Sequence, residues 1–155
     1  MLLILAAAVG GSARAGTAAA SKTQQSIFSD GTPELLSDPE VTISTLRSLG
    51  VTTLRVFVPW ASIAPRSDSR RPPKGFVAID PAAYPKGAWK PFDVLVRVAR
   101  ADGIQLLMEP TSPAPMWAAG RAPRGIGPHN PATWMSSGQE FGKFVRALGA
   151  RYSGS

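Results

Sequence analysis

Twice in this chain an amphipathic helical period ends on a glycine and runs into a short aliphatic stretch, and the same pattern starts again near the C-terminus. In the first unit Ser37-Asp38-Pro39-Glu40 supplies an N-cap and a first-turn proline. Ile43, Leu46 and Leu49 supply the apolar stripe, and Gly50 the C-terminal cap. A strand is predicted to follow from about Thr52 to Val58. In the second unit Pro91 opens a helix with Phe92, Leu95, Val96 and Ala99 on one face, Asp102-Gly103 closes it, and Ile104 to Glu109 makes the next strand. The third begins on the capping-box spacing Ser137-Gly138-Gln139-Glu140, followed by Phe141, Phe144, Val145 and Leu148 at helical intervals. Strands separated by whole helices cannot be joined as hairpins, so this alternation predicts an α/β chain with a parallel sheet and crossover helices. Ser26-Ile27-Phe28 is read as a short first strand.

The connections after the two main strands are long, about Pro59 to Lys90 and Pro110 to Ser136, and rich in Pro, Gly, Trp and Arg. In parallel sheets, open or closed, the loops beyond the strand C-termini carry the ligand site. Trp60, Trp89, Trp117 and Trp134 all fall in or beside these loops. Trp60 and Trp117 are assigned to the wall of a cleft, where an indole offers a flat apolar surface and a single donor. Trp89 and Trp134, next to helix starts, are read as hydrophobic plugs.

Which chemistry such a cleft could perform is narrowed by what is missing. The chain has no Cys, which excludes a disulfide scaffold, a thiol nucleophile and a Cys-based zinc cluster. Its single histidine, His129, lies between Gly-Pro and Asn-Pro and reads as a turn residue; one imidazole makes a His-rich metal site or a Ser-His-Asp triad hard to build. The chemistry left is that of carboxylates. Glu109, just before Pro110, stands where a parallel strand delivers side chains to a site. Asp30, Glu34, Asp38, Glu40, Asp93, Asp102 and Glu140 sit at caps, turns or helix starts and suit solvated or dipole-stabilising roles, while Asp68 and Asp80 carry no distinguishing signal. Glycosidase chemistry needs two facing carboxyl groups about 5 to 9.5 Å apart, and only one candidate is visible.

In Thr53-Leu54-Arg55-Val56-Phe57-Val58 the period of two puts Leu54, Val56 and Val58 on one side and Thr53, Arg55 and Phe57 on the other. Arg55 therefore faces a cleft or a barrel centre, where a guanidinium needs a carboxylate or a ligand to offset its desolvation. A binding site and an ion pair that only fixes the fold satisfy this requirement equally.

The charge balance is basic, 17 Lys and Arg against 10 Asp and Glu, a formal +7. The run Arg66-Ser67-Asp68-Ser69-Arg70-Arg71-Pro72-Pro73-Lys74 is nonetheless read as a solvated loop rather than a nucleic-acid surface, because it holds Pro-Pro instead of an element that enters a groove. At the other extreme of polarity, Leu2 to Val9 is an apolar run well short of the roughly 20 residues of a membrane-spanning helix. Small residues and the Ala13-Arg14-Ala15 cleavage pattern follow it, so residues 1–20 are expected to be a signal peptide or leader, the protein to be secreted, and no stable membrane anchor to be present.

Several stretches together resemble a known family. Thr45-Leu46-Arg47-Ser48-Leu49-Gly50-Val51-Thr52-Thr53-Leu54-Arg55-Val56 runs into Trp60-Ala61-Ser62-Ile63-Ala64-Pro65. Pro91-Phe92-Asp93 with Leu95-Val96 follows, then Thr111-Ser112-Pro113-Ala114-Pro115-Met116-Trp117-Ala118 and the helix Glu140-Phe141-Gly142-Lys143-Phe144-Val145 ending in Arg151-Tyr152-Ser153-Gly154. This pattern, from about Gln25 to Gly154, resembles the N-terminal half of secreted bacterial cellulase-like glycoside hydrolases. The resemblance implies a (β/α)8 TIM barrel of the retaining clan with its acid/base Glu after strand four and its nucleophile Glu after strand seven. It implies further that Arg55 matches a strand-two arginine that hydrogen-bonds the nucleophile, and that Trp60 and Trp117 wall the sugar cleft.

The Asn-Glu-Pro that carries the family's acid/base is absent from the sequence. A full barrel needs about 250 residues, so residues 25–155 are expected to be an incomplete barrel of about the first three βα units. The expected function is that of an N-terminal fragment of a glycoside hydrolase acting on β-linked glycans, inactive alone. Arg55, Trp60, Glu109 and Trp117 would bind substrate, with no catalytic residue, metal or cofactor of its own. Carbohydrate is the expected partner, nucleic acid is not, and the oligomeric state is open. The competing expectation is a non-catalytic carbohydrate-binding or interaction protein built on a half barrel that dimerises over its open sheet.

Overall fold

A computed structural model of the chain describes residues 27–121 and 133–154. The leader expected at residues 1–20 and the turn residue His129 lie outside the described residues.

Three strands, β1 (Ile27–Asp30), β2 (Thr53–Pro59) and β3 (Gln105–Thr111), form one parallel sheet in the order β1-β2-β3. Arg55 lies between Ser29 and Leu107 in the register, and Phe57 pairs with Glu109. Short helices α1 (Glu34–Ser37) and α2 (Pro39–Ser48) connect β1 to β2. A turn of helix, α3 (Trp60–Ile63), a 3-10 turn at Pro81–Ala83 and α4 (Lys90–Ala101) connect β2 to β3. A second 3-10 turn at Met116–Ala118 and α5 (Gly138–Tyr152) follow β3. The mixed α/β class and the parallel sheet expected from the alternating periods are therefore present.

Local chemistry sets the ends of these elements. Asp38 caps α2 by accepting from the Val41 N–H at 3.4 Å, and Ser137 caps α5 by accepting from the Glu140 N–H at 3.3 Å. Asp80, which the sequence left without a role, caps the Pro81–Ala83 turn by accepting from the Ala82 N–H at 2.9 Å. Gly50 after α2 and Gly103 after α4 take φ of +82° and +70°, a left-handed backbone that glycine enters without the Cβ clash other residues suffer.

One core lies on the helix side of the sheet. Leu54, Val56 and Val58 are fully buried there against Ile43 and Leu46 of α2 and Leu95, Val98 and Ala99 of α4. Two stripe assignments shift. Leu49 is exposed, because the helix has ended at Ser48 and the chain is already turning at Gly50; Val98 takes the fully buried place assigned to Val96, which is only partly covered. The core continues under the long loops as an aromatic cluster centred on Phe144 of α5. Its ring stacks on Trp60 at 5.7 Å with an interplanar angle of 12° and on Trp89 at 6.3 Å and 13°. Tyr84 packs on Trp89 at 5.1 Å, and its hydroxyl donates to the Ala78 carbonyl at 2.8 Å.

The ends of α4 and α5 are tied together electrostatically. Arg151 donates to both carboxylate oxygens of Asp93 at 2.8 and 2.7 Å, and the Tyr152 hydroxyl donates to the same carboxylate at 2.9 Å. The hydrogen bond from Arg151, followed by that from Tyr152, holds the Asp93 carboxyl below the usual range despite some desolvation. Asp93 stands in the first turn of α4 and Arg151 in the last turn of α5, so each charge also complements its own helix dipole.

Candidate functional site

Ile27 and Ser29 of β1, Arg55 and Phe57 of β2, and Leu107 and Glu109 of β3 share the sheet face opposite the aliphatic core, as register and alternation require. This face is left open. Ile27 and Leu107 are 47% and 48% exposed, whereas parallel sheets normally bury both sides.

On the open face Arg55 Nε donates to Glu109 Oε2, joining residues 54 positions apart. The Arg55 side chain also lies over the Phe57 ring, 5.0 Å from its centroid. The hydrogen bond from Arg55 is the main reason that the Glu109 carboxyl is held below its ordinary range, and the same bond raises the guanidinium. Glu109 is thus ionised near neutrality and poorly suited to deliver a proton. A guanidinium has five N–H donors, and this pair engages Nε, so donors remain for a second carboxylate or for hydroxyl groups. The two side chains keep 40% and 35% of their surface, which makes the pair accessible and inexpensive to hold in place. The Arg55–Glu109 ion pair satisfies the requirement that the sequence placed on Arg55 and is compatible with both a binding site and a fold-fixing role. Glu109 stands two residues before the end of β3, which continues to Thr111 rather than stopping at Glu109.

Trp60, expected at the cleft wall, is buried in the described structure. It is 1% exposed, stacked on Phe144 and edge-on to Trp117 at 5.7 Å, so neither ring face is free to receive a sugar. The physical reason is that α5 folds over the first turn after β2 and needs an aromatic filler there. Its indole N–H is buried without a hydrogen-bond partner among the described residues. Trp89, expected as a plug, is buried as one.

Trp117 is only partly covered. Its indole N–H donates to the Pro65 carbonyl at 2.9 Å and its ring meets Phe76 at 5.8 Å. It lines an open cavity of about 780 Å³ with Arg70, Arg71, Met116, Ala119, Gly120 and Arg121, beyond the C-terminal ends of β2 and β3. Arg70 and Arg71, expected in a solvated loop, share this cavity with Trp117 and Arg121, and no spacing in the sequence links residues 70 and 71 to 117 and 121. A second open groove, of about 730 Å³, runs between β3, α4 and α5 and is lined by Val96, Leu106, Met108, Val145, Leu148 and Tyr152 among others.

Among the described residues there is no group of three or more His, Asp or Glu placed to hold a metal ion, and no helix is long and apolar enough to cross a membrane. No protein-family model, curated protein or solved structure matches the chain.

Proposed function

We propose that this chain carries the first three βα units of a secreted (β/α)8 glycoside hydrolase that acts on β-linked glycans by a retaining, two-carboxylate mechanism. The observation that carries the reading is the Arg55–Glu109 pair on the open face of a parallel sheet, close to the strand C-termini. In a barrel that face is the interior, and groups at the strand ends are the ones that meet substrate. The groove beside β3 supports the same reading, because a strand following α5 by a right-handed crossover would lie there, at the edge of β3. In this reading Glu109 holds the Arg55 guanidinium in place, and the remaining N–H groups of Arg55 hydrogen-bond the attacking carboxylate contributed by a later strand, keeping it ionised. Trp117 stands at the rim of the cleft.

Retaining hydrolysis needs a nucleophile and an acid/base about 5 to 5.5 Å apart, and Glu109 is the one carboxylate among the described strand side chains. The chain by itself is therefore expected to bind short β-linked oligosaccharides through Arg55 and to turn over neither aryl β-glycosides nor β-glucans. Titration calorimetry with cellotriose, repeated on Arg55→Ala, tests the binding; release of aryl alcohol or reducing sugar tests the turnover. Hydrolysis that disappears in Glu109→Gln would make Glu109 the catalytic acid and overturn the reading, as would binding unaffected by Arg55→Ala.

The open face also supports a second reading, a non-catalytic carbohydrate-binding protein whose sheet is covered by another copy. A discrete dimer in sedimentation that buries Leu107, seen as protection from surface labelling in a Leu107→Cys variant, would favour it.

A further inference from the structure

The basic loop after β2 is an ordered turn. The Met116 N–H donates to the Ser67 carbonyl at 2.6 Å, and the Trp117 indole N–H to the Pro65 carbonyl at 2.9 Å. Within the turn the Ser69 N–H donates to the Arg66 carbonyl at 2.9 Å, and the Ser69 hydroxyl donates to the Arg71 carbonyl at 2.9 Å. Arg70 and Arg71 are thus presented by a backbone sewn to the Met116–Ala118 turn, and Arg121 lines the same cavity. None of the three forms an ion pair with a described residue, and no carboxylate lines the cavity among the described residues. Asp68, the one acid of the turn, lies outside it. Elsewhere Arg47 pairs with Asp102, Arg55 with Glu109, Arg97 with Glu40 and Arg151 with Asp93.

We infer that this cavity is a subsite for an acidic sugar, a uronic acid unit whose carboxylate is received by Arg70, Arg71 and Arg121 while its ring lies against Trp117. The inference rests on the glycan reading above and names its substrate class. A guanidinium matches a carboxylate in a planar, two-bond geometry, and three exposed ones without a paired carboxylate among the described residues leave their donors open to an anion. An exposed indole edge or face next to the charges suits the apolar side of a pyranose. At about 780 Å³ the cavity has the size of a small-ligand site. A nucleic acid is held instead by an extended basic stripe along its backbone, and the arginines here line one cavity. The location, beyond the ends of β2 and β3, is where a parallel sheet delivers its substrate.

The test compares two trisaccharides of the same ring and linkage on the full chain by titration calorimetry: β-1,4-linked glucuronic acid trimer and cellotriose. They differ in the carboxylate at C6. The acidic trimer is expected to bind about tenfold more tightly at low salt, and less so at high salt, because the charge contacts are exposed and screened. Arg70→Gln with Arg71→Gln, and separately Arg121→Gln, should erase most of that preference while leaving cellotriose affinity and the circular dichroism spectrum unchanged. Equal affinity for the two trimers overturns the inference and leaves the glycan reading standing, because cellotriose binding and its loss in Arg55→Ala report on that reading alone. Failure of both trimers to bind overturns both. Inorganic phosphate displacing the acidic trimer at comparable concentration would mark a general anion site, and tighter binding of a single-stranded oligonucleotide would mark a nucleic-acid surface; either overturns the sugar assignment.

Discussion

Replacing Trp60 by alanine separates a core role from a ligand role in one measurement. The ring is 1% exposed, stacks on Phe144 at 5.7 Å and meets Trp117 and Phe141 at the same distance. Burying an indole removes roughly 200 Å² from water, or about 5 kcal/mol at about 25 cal/mol per Å² as an upper bound. The aromatic contacts add about 0.5 to 1.5 kcal/mol each. Against this, the unpaired buried N–H costs about 1 to 3 kcal/mol in the native protein. Together these give an upper bound of roughly 3.5 to 8.5 kcal/mol, and the loss expected is about 3 to 5 kcal/mol, as is typical of large aromatic truncations in cores. With a urea slope of about 2 kcal/mol/M the unfolding midpoint, followed by far-ultraviolet circular dichroism, should fall by roughly 2 M. Trp60→Phe sharpens the test: it discards the unpaired N–H and keeps a ring, so opposing effects should leave it within about 1 to 2 kcal/mol of the parent. A midpoint for Trp60→Ala within about 0.5 M of the parent, with oligosaccharide binding lost, would refute the core assignment and return Trp60 to the cleft.

Two further outcomes can be checked on the same unfolding curves. Gly50 has open space around its Cα but a φ of +82°, so Gly50→Ala should cost about 1 kcal/mol, the left-handed strain less the entropy gained in the unfolded chain. Gly103→Ala, at +70°, should behave alike. Asp93 is held below its ordinary carboxyl range in the folded protein, so below that range the unfolded chain binds more protons and folding is penalised. Its contribution is fully present above the ordinary Asp value of about 3.9 and is lost as pH falls through the lower folded value. Arg151→Met should therefore destabilise at neutral pH, by no more than about 1 kcal/mol for so exposed a pair, and flatten the loss of stability on acidification. A variant with an unchanged acid profile would remove Asp93 as its source.

The helices and strands were legible because their causes are local. Asp38 and Ser137 cap within three residues of themselves, Gly50 and Gly103 stop helices with their own backbone, and the period of two in β2 puts Arg55 opposite Leu54 and Val56 whatever the rest of the chain does. Leu49 shows the limit of the same logic, since a stripe position loses its meaning once the helix has turned into Gly50.

What only the tertiary structure decided are the pairings of residues far apart in the chain. Arg55 required a carboxylate by its position, yet that the partner is Glu109 follows from the β2–β3 register. Whether Trp60 serves as a platform or a plug depended on α5, which begins 78 residues later and lays Phe144 across its ring. Composition is blind to this, because an indole after a strand is equally suited to a sugar and to a phenyl ring, and the nearer and drier partner wins. Arg70, Arg71 and Arg121 likewise line one cavity only because the two loops are hydrogen-bonded to each other. Local sequence sets each residue's conformation and facing; which charges and rings complete one another is set by long-range packing.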